Sequence, residues 1–195
     1  MIYGHAQLLG ASVTDRDGAE SLAAIQDAVE TMQHVLGDLA SVIDGGRRAW
    51  PVPVNGARDI DARHLLLRTV QSLPSAAART RIDTWVRAIV CGDPVRVRQC
   101  LLNVLGNADK YAPTGEIIVS VRRDGGFGVI RIDDEGPGIP EPERRSAFIP
   151  LQRSSATRDL PGEGLGLYIA SALMTSMGGL IELSDAPSGG LRVEL

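Results

Sequence analysis

The sequence predicts an α+β fold: a two-layer α/β sandwich, a mixed sheet with helices on one face, preceded by an α-helical hairpin remnant. Three observations predict it. From residue 62 onward, stretches with helical spacing alternate with short Ile- and Val-rich runs. Two of those runs, 116–123 and 128–133, flank an AspGlyGly turn at 124–126 and read as an antiparallel hairpin. Ahead of them, Leu22, Ile25, Val29, Met32, Leu36, Leu39 and Ile43 keep an alternating 3,4 spacing over about three heptads, the seam of a helix that pairs with another.

Taken in order, residues 18–45 form one helix, with Asp15 or Asp17 to cap its start and Gly45-Gly46 to end it. Residues 1–9 read as the tail of a preceding helix and 10–17 as the turn between them. A single seam with a stub for a partner cannot bury both faces, so it calls for a second copy or for packing on the domain that follows. The proline-punctuated stretch 47–54 is a connector. This divides the chain into a helical region, 1–48, and a second domain, 49–195. Within the second, 62–73 is helical in pattern, 82–90 strand-like, and 94–111 a helix. Residues 139–161 are rich in Pro, Arg and Ser and read as a long loop with one short helix. A glycine-led helix over 164–177 follows, then strands 180–184 and 191–195 joined at 187–190.

Composition narrows the function classes. The net charge of -4 argues against nonspecific nucleic-acid binding, whose footprint is basic. No run of 18 apolar residues occurs, so no membrane span is expected, and the start MIYGHAQLLG lacks the basic n-region of a secretory signal. Cys91 and Cys100 show no metal-ligand spacing and read as two reduced, buried thiols, which with the rest suggests a cytoplasmic setting.

Three segments in fixed order carry the chemistry. In NVLGNADKYAP, from Asn103, Asn103 and Asn107 stand four apart and project from one helix face. Lys110, three beyond Asn107, and Tyr111, four beyond it, join that face. An amide oxygen is a neutral hard ligand suited to Mg²⁺, which completes its shell with water and phosphate. Lys110 is the single lysine among 20 Lys and Arg residues, a compact point charge for phosphate. In DEGPGIP, from Asp134, Gly136 and Gly138 allow close backbone approach, and the carboxylate can accept from an exocyclic amine. Asp133 is the alternative by one position. In GEGLGL, Gly162, Gly164 and Gly166 expose backbone N–H groups at a helix N-terminus, while Leu165 and Leu167 anchor that helix. It is not a P-loop, because no GK[ST] follows.

Together these segments resemble the N box and the two glycine boxes of sensor histidine kinases, members of the GHKL ATPase superfamily, over roughly residues 59–195. The resemblance implies ATP and Mg²⁺ as cofactors, with Asn107 as the metal ligand. It puts Lys110 and Tyr111 near phosphate and nucleotide, and Asp134 on the adenine amino group. Residues 147–153 resemble the phenylalanine box of the family's lid, with Leu151 where a second aromatic is usual. Arg153, with Arg158, Ser154, Ser155 and Thr157, is positioned to reach phosphate when that lid closes. Hydrolytic GHKL relatives carry a glutamate general base where this chain has Asn103, which cannot deprotonate water. The expected activity is therefore transfer to a side chain, with a response regulator as the downstream partner and a homodimer through 18–45. The family's HisGluLeuArgThrPro-like acceptor box is expected upstream of Met1, His5 and His34 lying in the wrong context. Two alternatives stay open: a short GHKL ATPase or anti-sigma-type Ser/Thr kinase, and a non-catalytic ATP-sensing dimerisation module.

Overall fold

The computed structural model describes residues 58–83, 86–158, 160 and 162–195. All of them fall within one compact unit, Arg47–Leu195. The helical region 1–48, its seam at 18–45 and the connector at 47–54 lie outside the described residues.

Helices in this unit start where side chains satisfy their first N–H groups. Strand β1, Arg58–Asp61, runs straight into helix α1, Ala62–Gln71, and Asp61 caps it by accepting from the His64 amide at 3.1 Å. Ala62, Leu66, Thr69 and Val70 form its buried stripe, and Ser72 ends it by donating to the Thr69 carbonyl at 2.7 Å. A one-turn helix α2, Pro74–Ala77, opens on its proline. Helix α3, Pro94–Tyr111, opens the same way, with Asp93 accepting from the Val95 amide at 2.9 Å. Its buried stripe of Val97, Cys100, Leu101, Val104, Leu105 and Ala108 follows the helical period, so one side of α3 must face a core.

The core it faces is the five-stranded mixed sheet β2-β4-β5-β7-β6, which holds β2 Thr80–Ile82, β4 Ile117–Asp124, β5 Phe127–Asp134, β6 Glu182–Asp185 and β7 Leu191–Glu194. β2 runs parallel to β4, and every other pairing is antiparallel. Ile117, Val119 and Val121 alternate toward the helices, as do Ile130 and Ile132 on β5 and Val193 on β7. The opposite sheet face is polar. There Arg131 and Arg122 reach Glu194 at 2.8 and 3.2 Å, and Arg192 reaches Asp133 at 2.6 Å. The two-layer sandwich expected from the sequence is the observed one, with α1 and α3 in the apolar core on one side of the sheet.

Three boundaries differ from expectation. The run 82–90 is not one strand: β2 ends at Ile82, and β3, Ile89–Gly92, pairs antiparallel with β1 as a separate two-stranded ribbon. Periodicity registers an apolar run but not which partner takes it. The loop 139–161 holds three 3₁₀ turns rather than one short helix: Glu141–Glu143, Ser146–Phe148 and Ser155–Thr157. Its prolines and missing apolar period deny it a longer helix. The glycine-led helix, α4, starts at Gly166 rather than 164 and ends at Ser176.

Helices α3 and α4 are coupled through Cys100, whose thiol donates to the Ala170 carbonyl at 3.6 Å and whose pKa is pushed up to about 12 by burial. Cys91, expected to be buried, is exposed. Native alkylation followed by mass analysis should therefore label Cys91 within minutes and leave Cys100 intact until denaturant is added. Leu101, fully buried in the same stripe, should cost about 2–5 kcal/mol on replacement by Ala, read from chemical denaturation.

Candidate functional site

Part of the polar side of α3 faces α4 and the glycine segment. Asn103 is 9 % exposed, and its Nδ2 donates to the Gln99 carbonyl at 3.1 Å. A Cβ built on Gly166 would stand 3.3–3.4 Å from both amide atoms of Asn107 and 3.7 Å from Asn103 Oδ1. Both asparagines thus meet the first residue of α4 at close range. That helix has no side-chain cap, so its leading N–H groups remain available to an outside acceptor.

One turn further along α3, the Lys110 ammonium lies 5.0 Å from the centroid of the Tyr111 ring, within cation–π range. Both side chains press on Gly162. A Cβ there would overlap Lys110 Nζ and come within 2.9 Å of the Tyr111 hydroxyl, and the φ of +146° also disfavours a side chain. It is the φ that favours glycine at 162, since the Lys110 tip could swing aside, and the lone lysine, though exposed, lies close to this backbone.

The sheet contributes the other wall. Asp133 and Asp134 are neighbours on β5 and so point to opposite faces. Asp133 turns outward, where Arg192 grips it through Nε at 2.8 Å and a terminal guanidinium nitrogen at 2.6 Å. Asp134 turns to the helix side, 8 % exposed. Its Oδ1 accepts from the Gly136 amide at 2.8 Å and the Leu191 amide at 3.2 Å, and no described residue donates to Oδ2. Burial raises the pKa of this carboxyl against the pull of those two amides. Gly136 abuts the Tyr111 carbonyl, which ties the turn to the end of α3. Gly138, at φ +67°, lies against the Gly190 backbone.

The loop between these walls is held by its own contacts. Glu143 accepts from the Ser154 hydroxyl at 2.7 Å, the Ser155 amide at 2.8 Å and the Ser155 hydroxyl at 2.6 Å. Ser155 and then Ser154 hold its carboxyl below the usual glutamate range. The Leu151 amide donates to the Gly164 carbonyl at 3.1 Å, with Leu151 itself in the left-handed region at φ +65° and largely exposed. Arg153 packs its stem on Gly164 while its guanidinium donates to the Thr157 and Leu160 carbonyls.

The fold therefore brings Asn103, Asn107, Lys110 and Tyr111 together with Gly162, Gly164 and Gly166, and ties the Asp134 turn to the end of the same helix. Leu165 and Leu167 are half-buried around the first turn of α4. Arg153, Ser154 and Ser155 are exceptions among the expected residues: the arginine's charge is turned into the loop, and the two serine hydroxyls are taken by Glu143. Sequence reasoning missed the Gly190–Leu191 corner. There the Leu191 amide serves Asp134, and a Cβ on Gly190 would overlap the Asp134 carbonyl oxygen. The signal was the SerGlyGly at 188–190, read only as a hairpin joint. Among the described residues no group of three His, Cys, Asp or Glu side chains gathers to hold a metal. The donors present are neutral amides beside one ammonium. That set fits an ion arriving with its own anionic oxygens better than one caged by protein.

The profile of the family described as "Histidine kinase-, DNA gyrase B-, and HSP90-like ATPase" matches residues 92–195. The signal transduction histidine-protein kinase/phosphatase MprB of Mycobacterium leprae is 31 % identical over 182 residues, covering 90 % of this chain and 33 % of that protein. The sensor protein TorS of Escherichia coli is 32 % identical over 198 residues, 97 % of this chain and 21 % of that protein. The chain thus spans a third or less of the length of these relatives. Among solved structures, the mycobacterial sensor histidine kinase MprB aligns at TM-score 0.61 with 28 % identity, over 71 % of this chain and 94 % of that one. Full-length ShkA in complex with AMPPNP aligns at TM-score 0.75 with 23 % identity, over 98 % of this chain and 41 % of that one, a likeness of fold.

A buried aspartate with a raised pKa destabilises the fold when ionised: its favourable state persists at low pH and is lost as pH rises through the folded pKa. Asp134→Asn keeps an oxygen for both amides and carries no charge. Thermal melts should therefore place this variant above the parent at pH 7, with the gap closing as pH falls into the acid range.

Proposed function

Because the chain belongs to the family of histidine kinase-, DNA gyrase B- and HSP90-like ATPases, we propose that it binds ATP with Mg²⁺ and forms the catalytic part of a sensor histidine kinase. The γ-phosphoryl group goes to a histidine outside the described residues, and a response regulator takes it from there. The whole assembly works on the cytoplasmic side, as a homodimer joined through 18–45. The observation that carries this reading is the meeting of Asn103 and Asn107 with the uncapped start of α4, one helical turn from Lys110.

In this reading Asp134 Oδ2 accepts from the adenine amino group, while Oδ1 stays held by the Gly136 and Leu191 amides. A guanine, with a carbonyl at that position, would set oxygen against oxygen. Tyr111 flanks the nucleotide. The backbone amides at 162–166 and the Lys110 ammonium receive the phosphates, and Gly162 lets the two come close. Asn107 would hold Mg²⁺, which supplies charge neutralisation on phosphate oxygens when bound. AMPPNP in the ShkA complex agrees with a nucleotide in a fold of this kind.

Residue 103 decides between water and side chain as acceptor. Its amide has no basic lone pair, and its Nδ2 is committed to the Gln99 carbonyl. No carboxylate replaces it among residues gathered there, so water lacks a base, whereas a neutral imidazole brings its own lone pair. The imidazole nitrogen forms the N–P bond, the bond to the bridging oxygen breaks, and ADP leaves. The protein contributes position and charge rather than proton transfer.

Two measurements test this. Calorimetric titration with Mg²⁺ and a nonhydrolysable ATP analogue should show binding to the parent chain and none to Asp134→Asn. Incubation with γ-labelled ATP and a polypeptide carrying the family's histidine box should put acid-labile phosphate on that histidine, and Asn107→Ala should slow it about 100-fold, the scale of weakened metal ligation. Acid-stable phosphate on serine or threonine would overturn the kinase class. Release of free phosphate at a rate unaffected by acceptor would point to an ATPase instead.

A further inference from the structure

A group outside all three glycine- and asparagine-rich segments grips the end of α3. Arg79, in the turn between α2 and β2, reaches across with one fork of its guanidinium. A terminal nitrogen donates to the Ala112 carbonyl at 2.6 Å and also to the Gly115 carbonyl. The other terminal nitrogen donates to Asp109 Oδ1 at 2.6 Å, and the Ser75 hydroxyl meets the same oxygen at 2.9 Å. The guanidinium side chain is 19 % exposed, which makes these charge-assisted bonds stronger than a surface pair. From the opposite side Glu135, inside the Asp134 turn, accepts from the Glu116 amide at 3.0 Å and packs on Gly115.

Asp109, Ala112 and Gly115 bracket Lys110 and Tyr111. The helix ends here with a non-helical Ala112 and no glycine cap. The Ala112 carbonyl accepts from the Gly115 amide at 3.3 Å, a long bond, and Arg79 adds a second, charged donor that also grips Gly115 and Asp109. Without that clamp the terminal turn would be held by the Gly115 amide alone and freer to fray, and fraying would move the Lys110 ammonium while leaving Asp134 on its strand.

We propose that Arg79, with Asp109, is a positioning residue for the phosphate side of the nucleotide cleft: it fixes the last turn of α3 and thereby the distance from Lys110 to the glycine segment. It touches no substrate, and its role rests on the reading that this cleft binds ATP. The fork geometry matters, since three acceptors in two directions match a planar guanidinium and not an ammonium.

The experiment is calorimetric titration of the full chain, its Arg79→Lys and Arg79→Met variants and Asp109→Asn, each with a Mg²⁺-loaded nonhydrolysable ATP analogue and, by displacement, with adenosine. A positioning role weakens the ATP analogue about tenfold in Arg79→Met and Arg79→Lys, the scale of one charge-assisted hydrogen bond, while adenosine affinity stays within about twofold. Asp109→Asn moves the same ratio in the same direction by less, and stands as the test should the arginine variants fail to fold. Equal losses for both ligands would mean a purely structural residue, and unchanged affinity for both would mean none of this coupling; either overturns the proposal. A parent chain that binds neither ligand would overturn the functional reading itself, a result separable from the other two.

Discussion

Everything at the site depends on how α3 is seated. Its stripe from Val97 to Ala108 is driven onto the sheet by burial of side chains that are almost wholly removed from water. Once that stripe is fixed, the helix has no rotational freedom left. Asn103, Asn107, Lys110 and Tyr111 then point where the geometry of a 3.6-residue turn sends them, toward α4 and the glycine segment. The polar face is therefore aimed by the apolar one. A change that rotated the helix to relieve a packing fault would move all four of these side chains together, so the core and the proposed site are under a common constraint.

The second constraint is the parity of β5. Two aspartates in sequence have opposite fates because successive strand residues face opposite sides. Asp133 is held by a bidentate arginine on the polar face and serves the sheet. Asp134 is left on the apolar side with two backbone amides as its only described donors. Its raised pKa marks the difference: the site keeps a carboxylate that the fold alone would rather see neutral. On the function proposed above, stability is conceded here in exchange for an acceptor kept for the nucleotide base, a pattern in keeping with local rules being broken at functional positions.

Much of this was legible in the sequence because local signals agreed with global ones. Asp93 and Pro94 announce the start of α3, and AspGlyGly announces the hairpin, where Gly125 and Gly126 do take positive φ. The three segments chose the site because their residue types make sense only together. What stayed hidden was non-local. The run 82–90 is divided between a parallel partner on one sheet and an antiparallel partner on another, and no periodicity encodes a partner. Leu191 reaches Asp134 through its backbone amide, for which any residue would serve. Arg79 is one arginine among many, 30 positions from the carboxylate it meets. Arg153 was read by its charge, yet charge alone does not say that loop carbonyls will take it first.

Strands β5 and β7 are immediate neighbours in the sheet, yet 56 residues separate the end of one from the start of the other. The glycine-rich turns, the Glu143-centred loop and α4 are all an excursion between two paired strands. Closing such an excursion costs free energy that grows only with the logarithm of its length. The sheet therefore tolerates lengthening or rebuilding of the Glu143 loop far more readily than it tolerates a change in α3. One rigid layer can in this way carry many differently shaped covers, the loop free to diverge while the sheet and α3 stay in place.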